Sequence, residues 1–176
     1  MRKHIRKAAM ATVLAGGAVL GGFAATGTAS ASEDSGLVDG TGSTRNDWGD
    51  EGTLQRGDES HAVALWQTVL WADGAKWKDG NTWRAFTEED ISGEFNRRTV
   101  SATAYWQKAN GVRETGKADP RSFAVADNSL GTVGKRGTVG YDGTSEDARF
   151  KRLTVGGVAQ DVYYVHYDGS WVPATY

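Results

Sequence analysis

Four carboxylates lie close together in the middle of the sequence and raise the question of glycoside hydrolysis. Glu88, Glu89, Asp90 and Glu94 all fall within one short segment. Glycosidases need two carboxyl groups on opposite sides of a sugar ring, and neighbours in one segment are poorly placed for that. The helix dipole gives a simpler explanation, because it favours acidic side chains in a first helical turn. We therefore predict no catalytic residue here and a protein that is not an enzyme.

Metal and thiol chemistry are also disfavoured. Beyond the amino-terminal segment the only histidines are His61 and His166, and neither has a second ligand at metal-binding spacing. A catalytic zinc ion needs three protein ligands in a shaped pocket. The chain contains no cysteine, which excludes cysteine-nucleophile hydrolases. We predict no metal site and no cofactor.

Aromatic and arginine side chains offer a binding chemistry instead. Sugar rings present apolar C–H faces that stack on aromatic rings, and a guanidinium can bind a carboxylate through two hydrogen bonds. The ligand-binding candidates are Trp77, Trp83 and Tyr105 for stacking, with Arg97, Arg98 and Arg113 for carboxylates. The alternatives are loop packing for the tryptophans and a solvated helix face for the arginines.

Composition and charge limit the possible partners. The chain has 176 residues, 7 tryptophans, 24 glycines and a formal net charge of −2. Four of its basic residues lie within Met1–Lys7, so the rest of the chain is more acidic than the total indicates. Nucleic-acid binding requires a basic patch that displaces counterions from phosphates. No such patch is visible, and we exclude nucleic acid as a partner.

Residues 1–31 have the pattern of an export signal. A basic Met1–Lys7 is followed by the apolar run Ala8–Ala25 and by Ala29-Ser30-Ala31, a small-x-small cleavage site. An uncleaved membrane anchor is the alternative, since the run approaches the length of a span. Glycines within the run disfavour a stable helix. We predict cleavage after Ala31, a secreted protein, and no membrane contact after cleavage.

The remaining chain divides into a leader and a folded part. Residues 32–53 are rich in Gly, Ser, Thr and Asp, which predicts a flexible acidic leader. Ser60, Asn96 and Asp119 are good N-cap residues, and they predict helices that begin at His61, Arg97 and Pro120. A further helical turn is expected over 87–90.

The chain changes character beyond Leu130. Alternating β-branched and aromatic residues over 138–167 predict an antiparallel sheet of about three strands. The pairs Gly156-Gly157 and Asp168-Gly169 are typical of hairpin turns. Tyr163, Tyr164, Tyr167 and Trp171 alternate through this region, so some of them are expected to face outward and to extend a binding surface.

The helical region contains two related half-motifs. Val63-Ala64-Leu65-Trp66-Gln67 recurs as Thr103-Ala104-Tyr105-Trp106-Gln107, which indicates a duplicated helical unit. We expect the tryptophans to lie in the core and both glutamines to bind loop backbone groups, because an unpaired buried amide costs about 1–3 kcal/mol. The structural signature consists of Leu54, Gly57, Val63, Trp66, Gln67, Leu70, Gly93, Phe95, Thr99, Ala102, Trp106, Gln107, Gly111, Gly116 and Asp119.

With this signature, residues 54–126 resemble the peptidoglycan-binding domain-like family, a three-helix module found on many cell-wall enzymes. The sequence departs from the family in having tryptophan at 66 and 106, where phenylalanine or leucine is usual. It also has a long first connection that contains Trp77 and Trp83. Too few residues follow Phe123 for the catalytic module that usually accompanies such a domain.

With the signal peptide over 1–31 and the leader over 32–53 that the sequence patterns predict, the resemblance implies an α+β protein. A three-helix bundle over 54–130 and a small antiparallel β-sheet tail over 131–176 would follow. It further implies a bacterial, cell-wall-associated, non-catalytic protein that binds peptidoglycan through the glycan strand or the stem peptide. The alternative is a secreted protein–protein interaction module or an inhibitor of a wall hydrolase, with a wall-active protein as its partner.

Overall fold

The structure, a computed structural model, describes residues 36–156 and 160–176; the predicted signal peptide lies outside this part. The described residues form three α-helices and seven strands, with about equal numbers of residues in each class. The helices are α1 (His61–Ala72), α2 (Arg97–Ala109) and α3 (Pro120–Ala126). The strands are β1 (Asp39–Gly40), β2 (Lys76–Asp79), β3 (Thr82–Ala85), β4 (Thr138–Asp142), β5 (Asp147–Thr154), β6 (Asp161–Tyr167) and β7 (Ser170–Pro173).

The three helices begin where their capping residues predict. The Ser60 hydroxyl accepts a hydrogen bond from the Val63 amide, and the Asn96 side chain accepts bonds from the second and third residues of α2. The Asp119 carboxylate accepts a hydrogen bond from the Ser122 amide, the third residue of α3, and Pro120 is in the first turn of this helix. A 3₁₀ turn at Glu88–Asp90 matches the predicted helical turn. Local capping chemistry therefore fixes the helix starts, independently of how the helices pack.

The larger sheet is antiparallel and has the first and last described segments of the chain side by side. Strands β4, β5 and β6 are consecutive neighbours, and β1 and β7 both pair with β6. The Val38 amide donates to the Ala174 carbonyl at 2.7 Å, and the Ala174 amide donates to the Tyr163 carbonyl at 2.8 Å. Asp168 and Gly169 form the predicted two-residue hairpin turn with positive φ at both positions. Strands β2 and β3 form a separate hairpin.

The expected three-helix bundle with a β-sheet tail is wrong. Helix α1 contacts β4, β5 and β6 as well as α2, so the sheet is part of one core and not an appendage. The reason lies in α1 itself, which buries almost every residue between Ala62 and Ala72. A helix that is apolar on all sides needs cover on all sides. Two short helices cannot supply that cover, and the sheet does.

The segment expected to be a flexible leader is packed over its described residues. Trp48 is fully buried, and its ring makes edge contacts with Phe123, Phe150 and Tyr163 at centroid distances of 5.2–6.2 Å. Asp47 lies beside Trp48 and accepts a hydrogen bond from the Tyr163 hydroxyl, with the two oxygens 2.6 Å apart. One large aromatic side chain and one buried carboxylate thus attach a segment whose average composition is typical of a linker.

A buried ion pair holds the same segment to the sheet. Arg152 Nη1 lies 3.0 Å from Asp47 Oδ2, and both side chains are almost fully buried. Burial raises the pKa of Asp47, although the Tyr163 hydroxyl and the Arg152 guanidinium oppose the rise. Arg152 Nη1 also donates to the Gly42 carbonyl at 3.0 Å. The amino-terminal segment and strand β5 are therefore joined by charged groups that solvent does not reach.

Candidate functional site

The β2–β3 hairpin is the element that the sequence analysis missed, and it carries two of the six binding candidates. Gly80 and Asn81 form its turn between the paired residues Asp79 and Thr82. Trp77 lies opposite Arg84, and Trp83 lies opposite Lys78. Because neighbouring side chains alternate across a strand, the two tryptophans face opposite sides of the hairpin.

The hairpin lies with one edge against helix α2. The Lys78 amide donates to the Ser101 hydroxyl at 2.9 Å, which connects the outer edge of β2 to the helix. Phe86 is buried just after β3, and its amide donates to the Ala75 carbonyl at 2.8 Å, which closes the base of the hairpin. The hairpin is therefore anchored at its base and along β2, whereas its turn and β3 are exposed.

On one side of the hairpin, Trp77 contacts the first turn of α2. The Arg98 guanidinium lies 4.6 Å from the centre of the Trp77 ring, within the range of a cation–π interaction. Arg98 Nη1 also donates to Asp90 Oδ1 at 2.9 Å. The other oxygen of Asp90 accepts the Thr87 amide at 2.9 Å and so closes the 3₁₀ turn. Arg98 is thus held in place by an indole ring and by a carboxylate that is itself fixed.

On the other side, Trp83 rests on Tyr105. The two ring centres are 5.3 Å apart, and the rings are tilted by 56°. Trp83 is still 51% exposed, and the other exposed large apolar residue in the described chain is Val133. Part of the Trp83 ring therefore packs against Tyr105, and part of it is open to solvent. Such an arrangement is suited to stacking on a ligand or to a protein contact.

A cleft of about 630 Å³ lies between the hairpin turn and the start of α2. Trp77 forms part of its apolar wall, and its polar lining includes Lys78, Asp79, Arg97 and Arg98. Asp79 is paired with Arg84 at 2.7 Å, and Arg98 is paired with Asp90. Among the described residues neither Lys78 nor Arg97 forms an ion pair. Arg97 therefore lines the cleft as a cation without an ion pair in the described chain, whereas Lys78 follows Trp77 on β2 and its side chain points to the Trp83 side of the hairpin.

The turn that precedes α2 is held in place from the core. Gln67, on the buried helix α1, accepts the Ser92 and Gly93 amides at 2.9 and 2.8 Å. Its amide nitrogen donates to the Glu94 carbonyl and to the Thr99 hydroxyl, both at 2.9 Å. Gly93 has φ +74°, which disfavours other residues there. This network confirms the predicted role of Gln67 and fixes the position of Arg97 and Arg98.

The structure brings five of the six predicted binding candidates to this region and leaves one elsewhere. Trp77, Arg97 and Arg98 line the cleft, and Trp83 and Tyr105 form the neighbouring aromatic pair. Arg113 follows the other end of α2, and a helix of 13 residues is about 20 Å long. Sequence reasoning missed Lys78, and its signal was the Trp-Lys-Asp-Gly-Asn stretch, which has the alternation and turn of a hairpin.

The acidic cluster has a structural role. Asp90 caps a 3₁₀ turn and binds Arg98, while Glu88, Glu89 and Glu94 are exposed. His61 Nδ1 lies 3.2 Å from the Pro173 carbonyl oxygen, and its ring lies 5.7 Å from Tyr167. Within residues 36–156 and 160–176, no group of His, Asp or Glu side chains is arranged to hold a metal ion.

Comparison with protein-family models, with curated proteins and with solved structures gives no match. The resemblance to the peptidoglycan-binding domain-like family stays a prediction that depends on the signature residues. Within the described part of the chain, no helix has the length and apolarity needed to span a membrane.

Proposed function

We propose that this protein is an exported, non-catalytic protein that binds bacterial peptidoglycan through the cleft between the β2–β3 hairpin and helix α2. The observation that supports this most directly is Arg97, a cation without an ion pair in the described chain, in the cleft that Trp77 also lines. Peptidoglycan offers both complementary groups: carboxylates on its stem peptides and C–H faces on its sugars. Charge-assisted hydrogen bonds to the carboxylates supply the stronger contacts.

Within the cleft the residues have different roles. Arg97 is free to bind a carboxylate, since it has no ion pair to leave in the described chain, and Lys78 contributes positive charge from the opposite side of β2. Arg98 is already bound to Asp90 and Trp77, so it stabilises the cleft wall and contributes background positive charge. We expect Arg97 to be the more informative residue for mutation, because replacing Arg98 would also disturb the hairpin.

The test is co-sedimentation of the purified protein with insoluble peptidoglycan stripped of attached polymers. We expect saturable binding that falls about tenfold in Arg97→Gln and by less in Lys78→Gln, whose side chain points to the other side of the hairpin. Arg113→Gln is the matched control, because it removes the same charge beyond the far end of α2. Equal losses in all three variants would indicate nonspecific charge attraction. A folded wild-type protein that stays in the supernatant would reject wall binding.

A protein partner is the second candidate, and the exposed Trp83 favours it. Tryptophan is enriched among residues that dominate protein–protein binding energy, and here it lies on a projecting hairpin. If this surface inhibits a wall hydrolase, the Trp83→Ala variant should no longer inhibit that enzyme. Inhibition of a purified wall hydrolase by the wild type and not by Trp83→Ala, without sedimentation on peptidoglycan, would establish this alternative.

A further inference from the structure

The outward side of the larger sheet carries a second surface, distinct from the hairpin cleft. Along β5 the residues Ala148, Phe150 and Arg152 point into the core, so Arg149 and Lys151 point outward. On β6 the outward residues near the carboxyl end are Tyr164 and His166. We call Arg149, Lys151, Tyr164, His166 and Trp171 the outer sheet face. None of these five residues is buried, and they lie side by side on neighbouring strands.

Strand register places these side chains in two rows. Lys151 pairs with Tyr164, and Tyr164 pairs with Pro173 on β7. In the next row, Arg149 lies opposite Gly140 on β4, and His166 lies opposite Trp171 on β7. Residues two apart on a strand are separated by about 6.7 Å. Two cations on β5 therefore lie next to aromatic rings on β6 and β7.

Trp171 holds Lys151 in a half-exposed position. The Lys151 ammonium lies 4.6 Å from the centre of the Trp171 ring, and the His166 ring contacts Trp171 at a centroid distance of 5.4 Å. Neither Lys151 nor Arg149 forms an ion pair within the described chain. The ammonium is thus oriented by an aromatic ring without being neutralised, which lowers the entropic cost of binding an anion.

The surface around these residues is open. A β-carbon added at Gly140 would meet no atom within 4 Å. A shallow cavity of about 440 Å³ crosses β4, the strand that contains Gly140, and extends to Arg45, a third cation. Asp142 and Asp147 lie opposite each other on β4 and β5, at the end of the cavity next to the β4–β5 turn. The cations Arg149 and Lys151 lie farther along β5, towards the centre of the outer sheet face. An extended ligand can lie across the strands without meeting a wall.

We infer that the outer sheet face binds an acidic polysaccharide, whose carboxylates contact Lys151 and Arg149 while its sugar rings stack on Tyr164 and His166. Cations without an ion pair in the described chain favour an anionic partner, and the rings beside them on β6 favour one made of sugar rings. A flat, open face suits a linear polymer better than a small ligand, which would need an enclosing pocket. This site is independent of the hairpin cleft and does not depend on peptidoglycan binding.

The test measures the affinity of the purified protein for polygalacturonate, which has one carboxylate per sugar ring, and for a neutral galactan. We expect binding to polygalacturonate that weakens as salt rises, and little binding to the neutral polymer. Lys151→Gln and Arg149→Gln should each raise the Kd for polygalacturonate, and the double variant should raise it about tenfold or more. Arg121→Gln, an exposed charge on α3, is the matched control.

A mutant cycle tests the positioning role of Trp171. We expect Trp171→Leu to weaken binding about as much as Lys151→Gln, with little further loss in the double variant, because both changes remove the same oriented ammonium. Trp171→Phe keeps an aromatic ring and should retain most of the affinity, which separates this role from loss of fold.

Several results would overturn the inference. Unchanged affinity in the Lys151/Arg149 double variant would do so, as would an equal loss in Arg121→Gln or equal binding of the neutral galactan. Sedimentation equilibrium that shows a dimer broken by Tyr164→Ser would assign the face to self-association instead. Arg97→Gln should leave polygalacturonate binding intact, so failure at one site is distinguishable from failure at the other.

Discussion

Gln67 and Gln107 make the same set of hydrogen bonds to two different loops. Gln107 accepts the Thr115 and Gly116 amides at 2.8 and 2.9 Å, as Gln67 accepts the Ser92 and Gly93 amides. The side-chain nitrogen of Gln107 donates to the Lys117 carbonyl and to the Ser122 hydroxyl, at 2.8 and 2.9 Å. Each glutamine thus holds the loop that leads into the next helix, which gives the repeated Trp-Gln motif a structural meaning.

Replacing either glutamine by alanine should strongly destabilise the fold. Gln67→Ala leaves the Ser92 and Gly93 amides without their acceptor, and a buried unpaired group costs about 1–3 kcal/mol. We expect a loss of about 2–4 kcal/mol in the free energy of unfolding, measured by urea denaturation, and a similar loss for Gln107→Ala. Gln55→Ala, at an exposed site, should change stability by less than about 0.5 kcal/mol. A loss no larger than that of Gln55→Ala would contradict the role assigned to these networks.

Signals that act within a few residues predicted the corresponding parts of this structure. The caps at Ser60, Asn96 and Asp119 were found because a side-chain oxygen and an amide three residues away suffice to start a helix. The predicted three-helix bundle was wrong because the residues that bury α1 come from strands far along the chain. The apolar character of the whole α1 segment was a signal that more cover was needed.

The binding candidates also divide into what residue types predict and what depends on contacts between distant segments. Residue types alone predicted Trp77 and Arg98 as candidates, but their contact depends on a hairpin edge meeting a helix. The hairpin escaped notice because its strands are only four residues long and lysine and aspartate occupy half of β2. The packing of residues 36–53 depended on single residues, Trp48 and Asp47, that an averaged composition conceals.

The Ser101 hydroxyl should control the mobility of the hairpin. It is the acceptor for the Lys78 amide, and Ser101→Ala removes that acceptor without changing charge. We expect a cost of about 0.5–1.5 kcal/mol, localised so that exchange of the Lys78 amide rises several-fold while amides in α1 are unaffected. Hydrogen exchange by NMR measures both. Ser101→Thr, which keeps the hydroxyl, is the control, and unchanged exchange at Lys78 in Ser101→Ala would show that the edge is held otherwise.

Asp127 should make stability depend on pH in mildly acidic solution. Burial raises its pKa to about 6, although the Trp48 and Asp47 amides, both bound to Oδ2 at 3.1 Å, favour the carboxylate. The ordinary pKa of aspartate is about 4, so between pH 4 and 6 the folded chain holds a proton that the unfolded chain has lost. The free energy of unfolding should therefore decrease as pH rises through this window.

Two replacements separate the charge of Asp127 from its hydrogen bonds. Asp127→Asn keeps an oxygen for both amides, so it should reduce the pH dependence between 4 and 6 at little cost in stability near pH 4. Asp127→Ala loses the acceptor as well and should cost about 1–3 kcal/mol near pH 4, where Asp127 is protonated in the folded chain, and less at higher pH. Urea denaturation at several pH values measures both quantities. An unaltered pH dependence in Asp127→Asn would mean that other groups, such as the buried Asp47, determine it.

Two glycines in and just after β4 provide a matched pair for the packing between the sheet and α1. The Ala72 carbonyl, at the end of α1, accepts the Ser145 and Glu146 amides at 2.9 Å. A β-carbon at Gly143 would overlap the Ala72 and Glu146 carbonyl oxygens, so the β4–β5 loop would have to move. We expect Gly143→Ala to cost about 1–3 kcal/mol in the free energy of unfolding. Gly140→Ala meets no atom, and thermal and urea unfolding should show little change or a slight gain. Equal stability of the two variants would mean that the hairpin does not hold the end of α1 as closely as the structure shows.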